Sequence, residues 1–94
     1  MIRSFRDTAT EKIFYSKKPV KGISSELHRA AKKKLMILNS AETLDDLKVP
    51  PGNRLEPLRG DRKGYHSIRV NDQWRICFRF VNGNVQEVEL VDYH

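Results

Sequence analysis

Residues 54–80 combine cationic side chains that can neutralise phosphate with the apolar alternation that predicts β-strands. This stretch holds seven Lys and Arg residues against three acids, so it carries +4 of the chain's net charge of +6. The cations are Arg54, Arg59, Arg62, Lys63, Arg69, Arg75 and Arg79. Because they lie on the most sheet-like part of the chain, they suit recognition of a phosphate backbone by a rigid surface.

A first hairpin is predicted to place two of these cations opposite each other. The apolar faces of its two strands coincide only if residues 71–73 form a loop, which pairs Ile68 with Ile76. The same register sets Arg69 opposite Arg75, an arrangement that destabilises a sheet by up to about 1 kcal/mol. Either an anion lies between the two guanidinium groups, or the long side chains diverge into water.

A second hairpin follows from the same argument. A loop of residues 82–84 keeps the apolar faces together and sets Arg79 opposite Glu87, as a cross-strand ion pair. In this register Arg75 faces no acid and stays without a neutralising partner. Further along the last strand, Tyr93 falls on the same face as Arg75.

The N-terminal half predicts the elements that support the sheet. Residues 1–5 alternate as a short strand, and Thr8 and Glu11 have the spacing of a capping box that begins a helix at residues 9–16. Ser24 or Ser25 caps a longer helix that runs to Asn39, and residues 43–47 add one helical turn. The apolar stripe of the longer helix consists of Leu27, Ala31, Leu35 and Leu38.

The same helix carries four cations on much of its remaining circumference. They are Arg29, Lys32, Lys33 and Lys34. Such a run either forms a solvated helix face or contacts phosphate or a partner.

Composition limits the class of protein. A chain of 94 residues with 38% apolar residues predicts a single domain, residues 1–94, and no apolar run approaches the roughly 20 residues of a membrane span. The lack of such a run predicts no membrane partner, and the lone Cys77, which excludes an internal disulfide, predicts a reducing, cytoplasmic location. His28, His66 and His94 lack the spacing of metal ligands, so neither a metal site nor a cofactor is predicted.

Several motifs together resemble one known family. They are MIRSF at the start, PPGNRL, LEPLRGDRKGYHSIRVNDQWRICF and the final VDYH. This pattern is similar to the HigB-type toxins of bacterial type II toxin–antitoxin systems, in the RelE-like superfamily. The resemblance implies an α+β fold, in which a twisted antiparallel sheet has two N-terminal helices packed on one face. The other face, concave and basic, would receive RNA.

The resemblance also implies an activity and its partners. Such proteins are ribosome-dependent endoribonucleases that cut messenger RNA in the ribosomal A site, without a metal ion, and so inhibit translation. A cognate HigA-like antitoxin with a helix-turn-helix neutralises the toxin. The pair reaches operator DNA only through that antitoxin.

Site residues follow from the same resemblance, position by position. The expected catalytic residues are Arg59, Arg75, Asp92, Tyr93, His94 and Glu56. The remaining cations of residues 54–80, namely Arg54, Arg62, Lys63, Arg69 and Arg79, are expected to bind RNA together with Arg59. Some relatives have histidine where this chain has Glu56, so either Glu56 acts as a base or the position is not essential.

Two other functions are compatible with the sequence. A ParE-like toxin of the same fold would act by binding and inhibiting DNA gyrase, without a catalytic site. A plain RNA-binding module would bind RNA with strong salt dependence and leave translation intact. The terminal DYH motif argues against the gyrase inhibitor.

Overall fold

The computed structural model describes residues 1–93, so the predicted role of His94 lies outside the described residues. The two α-helices are α1, Thr8–Tyr15, and α2, Ser25–Ser40. The strands are β1, Glu56–Pro57; β2, His66–Arg69; β3, Trp74–Val81; and β4, Asn84–Asp92. Short 3-10 helices span Leu44–Lys48, Pro51–Asn53 and Gly60–Arg62. Within the described part of the chain, none of the helices is long and apolar enough to cross a membrane.

The four strands form one antiparallel sheet in the order β1-β2-β3-β4, and the helices pack on one of its faces. Apolar side chains of α2 meet those of the central strands, so that Leu35, Ile76 and Phe78 have no exposed surface. The predicted α+β architecture with two N-terminal helices is therefore confirmed. Since alternate strand residues point to opposite faces, the helices leave the other face open, and this open face holds the cations of β2 and β3.

The cap of α1 differs from the prediction. Asp7, rather than Thr8, is the N-cap, and its Oδ1 accepts a hydrogen bond of 2.7 Å from the backbone N–H of Thr10. Thr8 is the first helical residue, so the predicted capping box of Thr8 and Glu11 is wrong. A carboxylate at the N-cap also interacts favourably with the helix dipole, which favours Asp7 over the hydroxyl one position later.

Replacing Asp7 with Ala is expected to destabilise the fold by about 1 kcal/mol, because it leaves a helix N–H without its acceptor. The matched control is Thr8→Ala, which removes the side chain that a Thr8 cap would have used. Urea denaturation followed by circular dichroism measures both changes. A larger loss for Thr8→Ala than for Asp7→Ala would contradict the observed cap.

The first hairpin has the predicted register. Ile68 pairs with Ile76 and Arg69 pairs with Arg75, across a loop at residues 71–73. The Oδ1 of Asn71 accepts hydrogen bonds from the backbone N–H groups of residues 73 and 74, at 2.9 and 2.8 Å, and so stabilises this loop. Matching of the two apolar faces was sufficient to predict the pairing.

The second hairpin departs from the prediction in its turn. Val81 pairs with Asn84, so the turn contains only Asn82 and Gly83, both with positive φ (49° and 80°). Asn-Gly is the sequence that favours a two-residue turn of this kind. A bulge then shifts the register, with φ of 54° at Glu87, so that Arg79 pairs with Gln86 while Ile76 still pairs with Leu90 as predicted.

The N-terminal segment is extended, but it forms bridges rather than a full strand. Ile2 and Phe5 make isolated parallel bridges to Val85 and Val88 of β4. Between them, the hydroxyl of Ser4 accepts a 2.9 Å hydrogen bond from the backbone N–H of Glu87, at the bulge. The segment therefore covers the outer edge of β4 and carries Arg6 toward the open face of the sheet.

Candidate active site

Arg75 lies near the start of β3, on the open face, and is only 8% exposed. Its Nε donates a 2.8 Å hydrogen bond to Ser67 Oγ, and its Nη2 donates to the carbonyl oxygens of Ser67 and Arg54. Among residues 1–93, no hydrogen bond involves Nη1. The guanidinium group is therefore fixed in orientation, with one edge left for an anion.

The acceptor at Arg54 depends on the loop that precedes β1. Arg54 has a left-handed backbone (φ 44°, ψ 58°), which ends the 3-10 helix Pro51–Asn53. Asn53 is fully buried, and its Nδ2 donates hydrogen bonds of 3.1 and 3.2 Å to the carbonyl oxygens of Leu47 and Val49. Because a buried amide with satisfied hydrogen bonds holds its loop rigidly, the Arg54 carbonyl is preorganised to receive Arg75.

The repulsion expected between Arg69 and Arg75 is relieved within the chain. Arg69 forms an ion pair with Asp72, and Arg75 Nη2 lies 3.9 Å from Glu56 Oε2. The prediction that Arg75 lacks an acidic partner is thus wrong, because β1 places Glu56 beside Ser67 at the edge of the sheet. Each guanidinium group has its own carboxylate, so neither an intervening anion nor divergence into water is needed to explain the pairing.

The end of β4 brings a second candidate residue to Arg75. The guanidinium carbon of Arg75 lies 5.9 Å from the centroid of the Tyr93 ring, as expected from their shared face. Tyr93 remains 43% exposed, and its backbone N–H donates a 2.6 Å hydrogen bond to the Gln73 carbonyl. The carboxylate of Asp92 accepts a 3.0 Å hydrogen bond from the Gln73 side chain. Because Asp92 pairs with Trp74, it belongs to the sheet face opposite that of Arg75.

A second cationic cluster lies at the other end of the open face, around Tyr65. The guanidinium carbons of Arg6, Arg62 and Arg79 lie 5.9, 5.2 and 5.8 Å from the centroid of its ring. Arg62 pairs with Glu89 at 2.9 Å, and Arg79 pairs with Glu87 at 3.5 Å despite the shifted register. A hydrogen bond to Glu87 raises the pKa of Tyr65. Two of the predicted RNA-binding cations are thus already partly neutralised.

The remaining predicted residues lie outside these two clusters. Arg59 precedes the 3-10 helix Gly60–Arg62 and is exposed, as are Lys63 and the side chain of Arg54. Within residues 1–93, no ion pair joins Arg59 to the Arg75 cluster. The structure therefore brings together Arg75, Glu56 and Tyr93, with Arg69 alongside, and leaves Arg59 on the rim.

Sequence reasoning missed the residues that organise the two clusters. Ser67 is fully buried and binds Arg75 through both its hydroxyl and its carbonyl. The predicted register already places Ser67 on the open face, diagonal to Arg75, and this position could have identified it as a contact of Arg75. Arg6 could not be found in this way, because its position depends on the bridge between Phe5 and β4.

Cys77 lies between the two clusters and is 2% exposed. Burial raises the pKa of its thiol, because the thiolate is disfavoured away from water. We expect the native protein to react slowly with Ellman's reagent at pH 8, with the rate still rising above pH 9, and the urea-unfolded chain to react at once. Rapid reaction of the folded protein at pH 8 would contradict this assignment.

Comparison with known proteins identifies the family. Residues 3–94 match the HigB-like toxin family, described as the RelE-like toxin of the type II toxin–antitoxin system HigB. The chain belongs to the HigB-like toxins. This membership confirms the resemblance predicted from the LEPLRGD, GYHSI and NDQWRI motifs.

Two relatives agree with the family, and a solved structure agrees with the fold. Toxin HigB-1 of Vibrio cholerae is 42% identical over 83 residues, covering 88% of this chain and 87% of that protein. Endoribonuclease HigB of Proteus vulgaris is 33% identical over the whole of both chains. The fold resembles that of the YoeB–YefM complex from Staphylococcus aureus, with a TM-score of 0.59 at 14% identity, covering 100% of this chain and 98% of that one. Neither the HigB family nor these HigB relatives favours the ParE-like alternative.

Proposed function

We propose that this HigB-like toxin is an endoribonuclease that cleaves messenger RNA in the A site of the translating ribosome. The observation that carries the proposal is the fixed guanidinium group of Arg75, which lies beside Glu56 and the exposed ring of Tyr93 on the open face. An oriented cation next to a carboxylate and an aromatic ring supplies groups that neutralise a phosphate, accept a proton and stack on a nucleobase. The name of the Proteus vulgaris relative, an endoribonuclease, supports the same reaction class.

The proposed reaction uses the ribose 2′-hydroxyl as nucleophile and needs no metal ion. A base removes the proton of that hydroxyl, the oxygen attacks the adjacent phosphorus, and an acid protonates the leaving 5′-oxygen. The crowded phosphorane carries extra negative charge, which Arg75 neutralises with support from Arg69 and from Arg59 on the rim. A preorganised donor of this kind contributes about 3 kcal/mol of transition-state stabilisation.

The remaining groups transfer protons or position the RNA. Glu56 lies 3.9 Å from Arg75 and is more than half exposed, so its carboxylate is available as the base. His94, which follows Tyr93 in the chain, is assigned as the proton donor, and Tyr93 stacks on a nucleobase. Asp92 supports this end of the chain through its hydrogen bond with Gln73.

A cognate antitoxin is the expected protein partner, since the family is half of a toxin–antitoxin pair. We assign it a HigA-like helix-turn-helix, so that contact with operator DNA passes through the antitoxin. The solved YoeB–YefM complex from Staphylococcus aureus, which has this fold, supports a protein partner.

Expression of the chain without an antitoxin tests the proposal. Growth should stop, and mapping of RNA 5′ ends should show cuts at codons that are being translated, which disappear for a transcript whose start codon has been removed. A plasmid-supercoiling assay in the same cells serves as the control for gyrase inhibition. Arrested cells with intact transcripts would contradict the endoribonuclease, and loss of supercoiling would favour the ParE-like alternative.

A further inference from the structure

The segment of residues 17–34 concentrates more net positive charge than residues 54–80, and it lies on the helix side of the molecule. Residues 17–34 contain seven cations and one acid, for a net charge of +6. The rest of the chain has 11 cations and 11 acids, since the totals are 18 and 12. The cations of the segment are Lys17, Lys18, Lys21, Arg29, Lys32, Lys33 and Lys34. We call this region the helix-side cationic surface.

This surface is not neutralised within the chain. All five side-chain ion pairs among residues 1–93 lie outside residues 17–34. Lys32 donates a 2.7 Å hydrogen bond to the carbonyl of Ser16, and Lys34 donates to the side-chain oxygen of Asn53, so both use uncharged acceptors. Burial and the nearby charges of Lys33 and Arg69 lower the pKa of Lys34, which lies at the edge of this surface nearest to Arg69. The positive potential here is therefore unbalanced, in contrast to the paired arginines of the open face.

A cavity of about 460 Å³ lies within this surface. Lys17, from the segment after α1, lines it together with Arg29 and Lys33 of α2. His28 also lines it, is only 8% exposed, and has an Nδ1 atom that lacks a hydrogen-bond partner among the described residues. The cavity therefore presents cationic side chains from two elements, the segment after α1 and the helix α2, to a single bound anion.

The cavity and Arg75 lie on opposite sides of the sheet. α2 buries Leu35 against the sheet, whereas Arg29 and Lys33, four residues apart, project from the exposed side of the same helix. Arg75 belongs to the face that the helices leave open. An anion bound in the cavity is therefore not the phosphate that Arg75 contacts.

We propose that the helix-side cationic surface binds the phosphate backbone of a second stretch of RNA, separate from the strand at Arg75. Six of its seven cations are lysines, which are depleted from protein–protein interfaces but suit contacts with phosphate that do not read sequence. The open face has the reverse composition, with six arginines and one lysine in residues 54–80. The second contact goes beyond the proposed function and holds whether or not the open face cuts RNA.

Binding of a fluorescein-labelled 12-nucleotide RNA, 2′-O-methylated throughout so that it cannot be cut, tests this inference by fluorescence anisotropy without ribosomes. The test variant is Lys17→Gln/Arg29→Gln/Lys33→Gln. The matched control is Arg3→Gln/Lys12→Gln/Lys48→Gln, which changes the net charge equally at exposed positions elsewhere. Each phosphate contact contributes about 0.7 to the slope of log K against log salt, so the test variant should lose about 2 in slope and about a hundredfold in affinity at 0.1 M salt.

Two further readouts separate binding of RNA at this surface from general attraction between opposite charges. The imidazole NMR signals of His28 should shift when the RNA is added to the parent protein and stay in place in the test variant. A glutamate decapeptide should bind at least tenfold more weakly than the RNA. Equal losses in the test and control variants, or a decapeptide that binds as tightly as the RNA, would overturn the inference. Absence of RNA cleavage in cells would contradict the proposed function alone and leave these binding results unaffected.

Discussion

Arg75→Ala is expected to lower the rate of RNA cleavage by about 10²–10³-fold, the loss seen when one preorganised donor to a developing negative charge is removed. The side chain is 90% buried, and two of its nitrogens are held by Ser67 and by the Arg54 carbonyl, so its remaining nitrogen is presented without a cost in side-chain entropy. Arg75→Lys should lose nearly as much, because an ammonium group cannot bind these acceptors and a phosphate in one plane. Cleavage of a translated reporter transcript, with rates corrected for the folded fraction, measures both variants.

The control for Arg75→Ala must separate catalysis from folding and from binding. Removing Arg75 leaves the buried Ser67 hydroxyl without its partner, at a cost of about 1–3 kcal/mol, so thermal denaturation has to confirm that the variant is folded at the assay temperature. Arg79→Ala removes an exposed arginine of the same strand, whose partner is Glu87. Its rate at saturating substrate should stay within threefold of the parent. An Arg75→Ala protein that retains a tenth of the parent rate would contradict the assigned role.

His94→Ala is expected to reduce cleavage by about 10²–10⁴-fold, the usual contribution of a positioned acid or base. The ring centroid of the preceding residue, Tyr93, lies 5.9 Å from the guanidinium carbon of Arg75, and His94 is the next residue in the chain. The pH dependence of the rate should also change. The limb of the pH–rate profile that an imidazole acid produces in the parent protein should be absent from His94→Ala.

Tyr93→Phe is the matched control for His94→Ala. It keeps the ring near Arg75 and removes only the hydroxyl, so a residue that acts by stacking should retain most of its activity. A fivefold loss or less is expected, with the pH limb unchanged. Full activity of His94→Ala, or a pH profile identical to that of the parent, would show that another group donates the proton.

Much of the sheet could be predicted from alternation alone. The pairing of Ile68 with Ile76, and of Ile76 with Leu90, follows from the requirement that large apolar side chains share one buried face. The second turn differs from the predicted one because turn chemistry outweighs strict alternation at this position. Asn82 and Gly83 favour a two-residue turn, and the bulge at Glu87 restores the apolar register within a few residues.

The burial of Arg75 could not be predicted from the same pattern. Alternation places the residue on the open face, and that face was expected to be solvated. The groups that enclose it come from elsewhere: the carbonyl of Arg54 lies 21 residues away in the chain, and Glu56 belongs to a two-residue edge strand. A two-residue strand and a main-chain acceptor have no characteristic sequence pattern, so the contacts of Arg75 could be identified only from the structure.

The acceptor that Arg54 offers to Arg75 is a main-chain oxygen, and this separates the geometry of the site from the identity of the residue. Any amino acid that tolerates a φ of 44°, Asn and Gly above all, presents the same carbonyl. A substitution at position 54 that keeps this backbone conformation therefore leaves the acceptor of the guanidinium group in place. At position 67 one acceptor is a side-chain hydroxyl, so that hydrogen bond requires Ser or Thr, and the support of Arg75 depends partly on the path of the backbone and partly on one side chain.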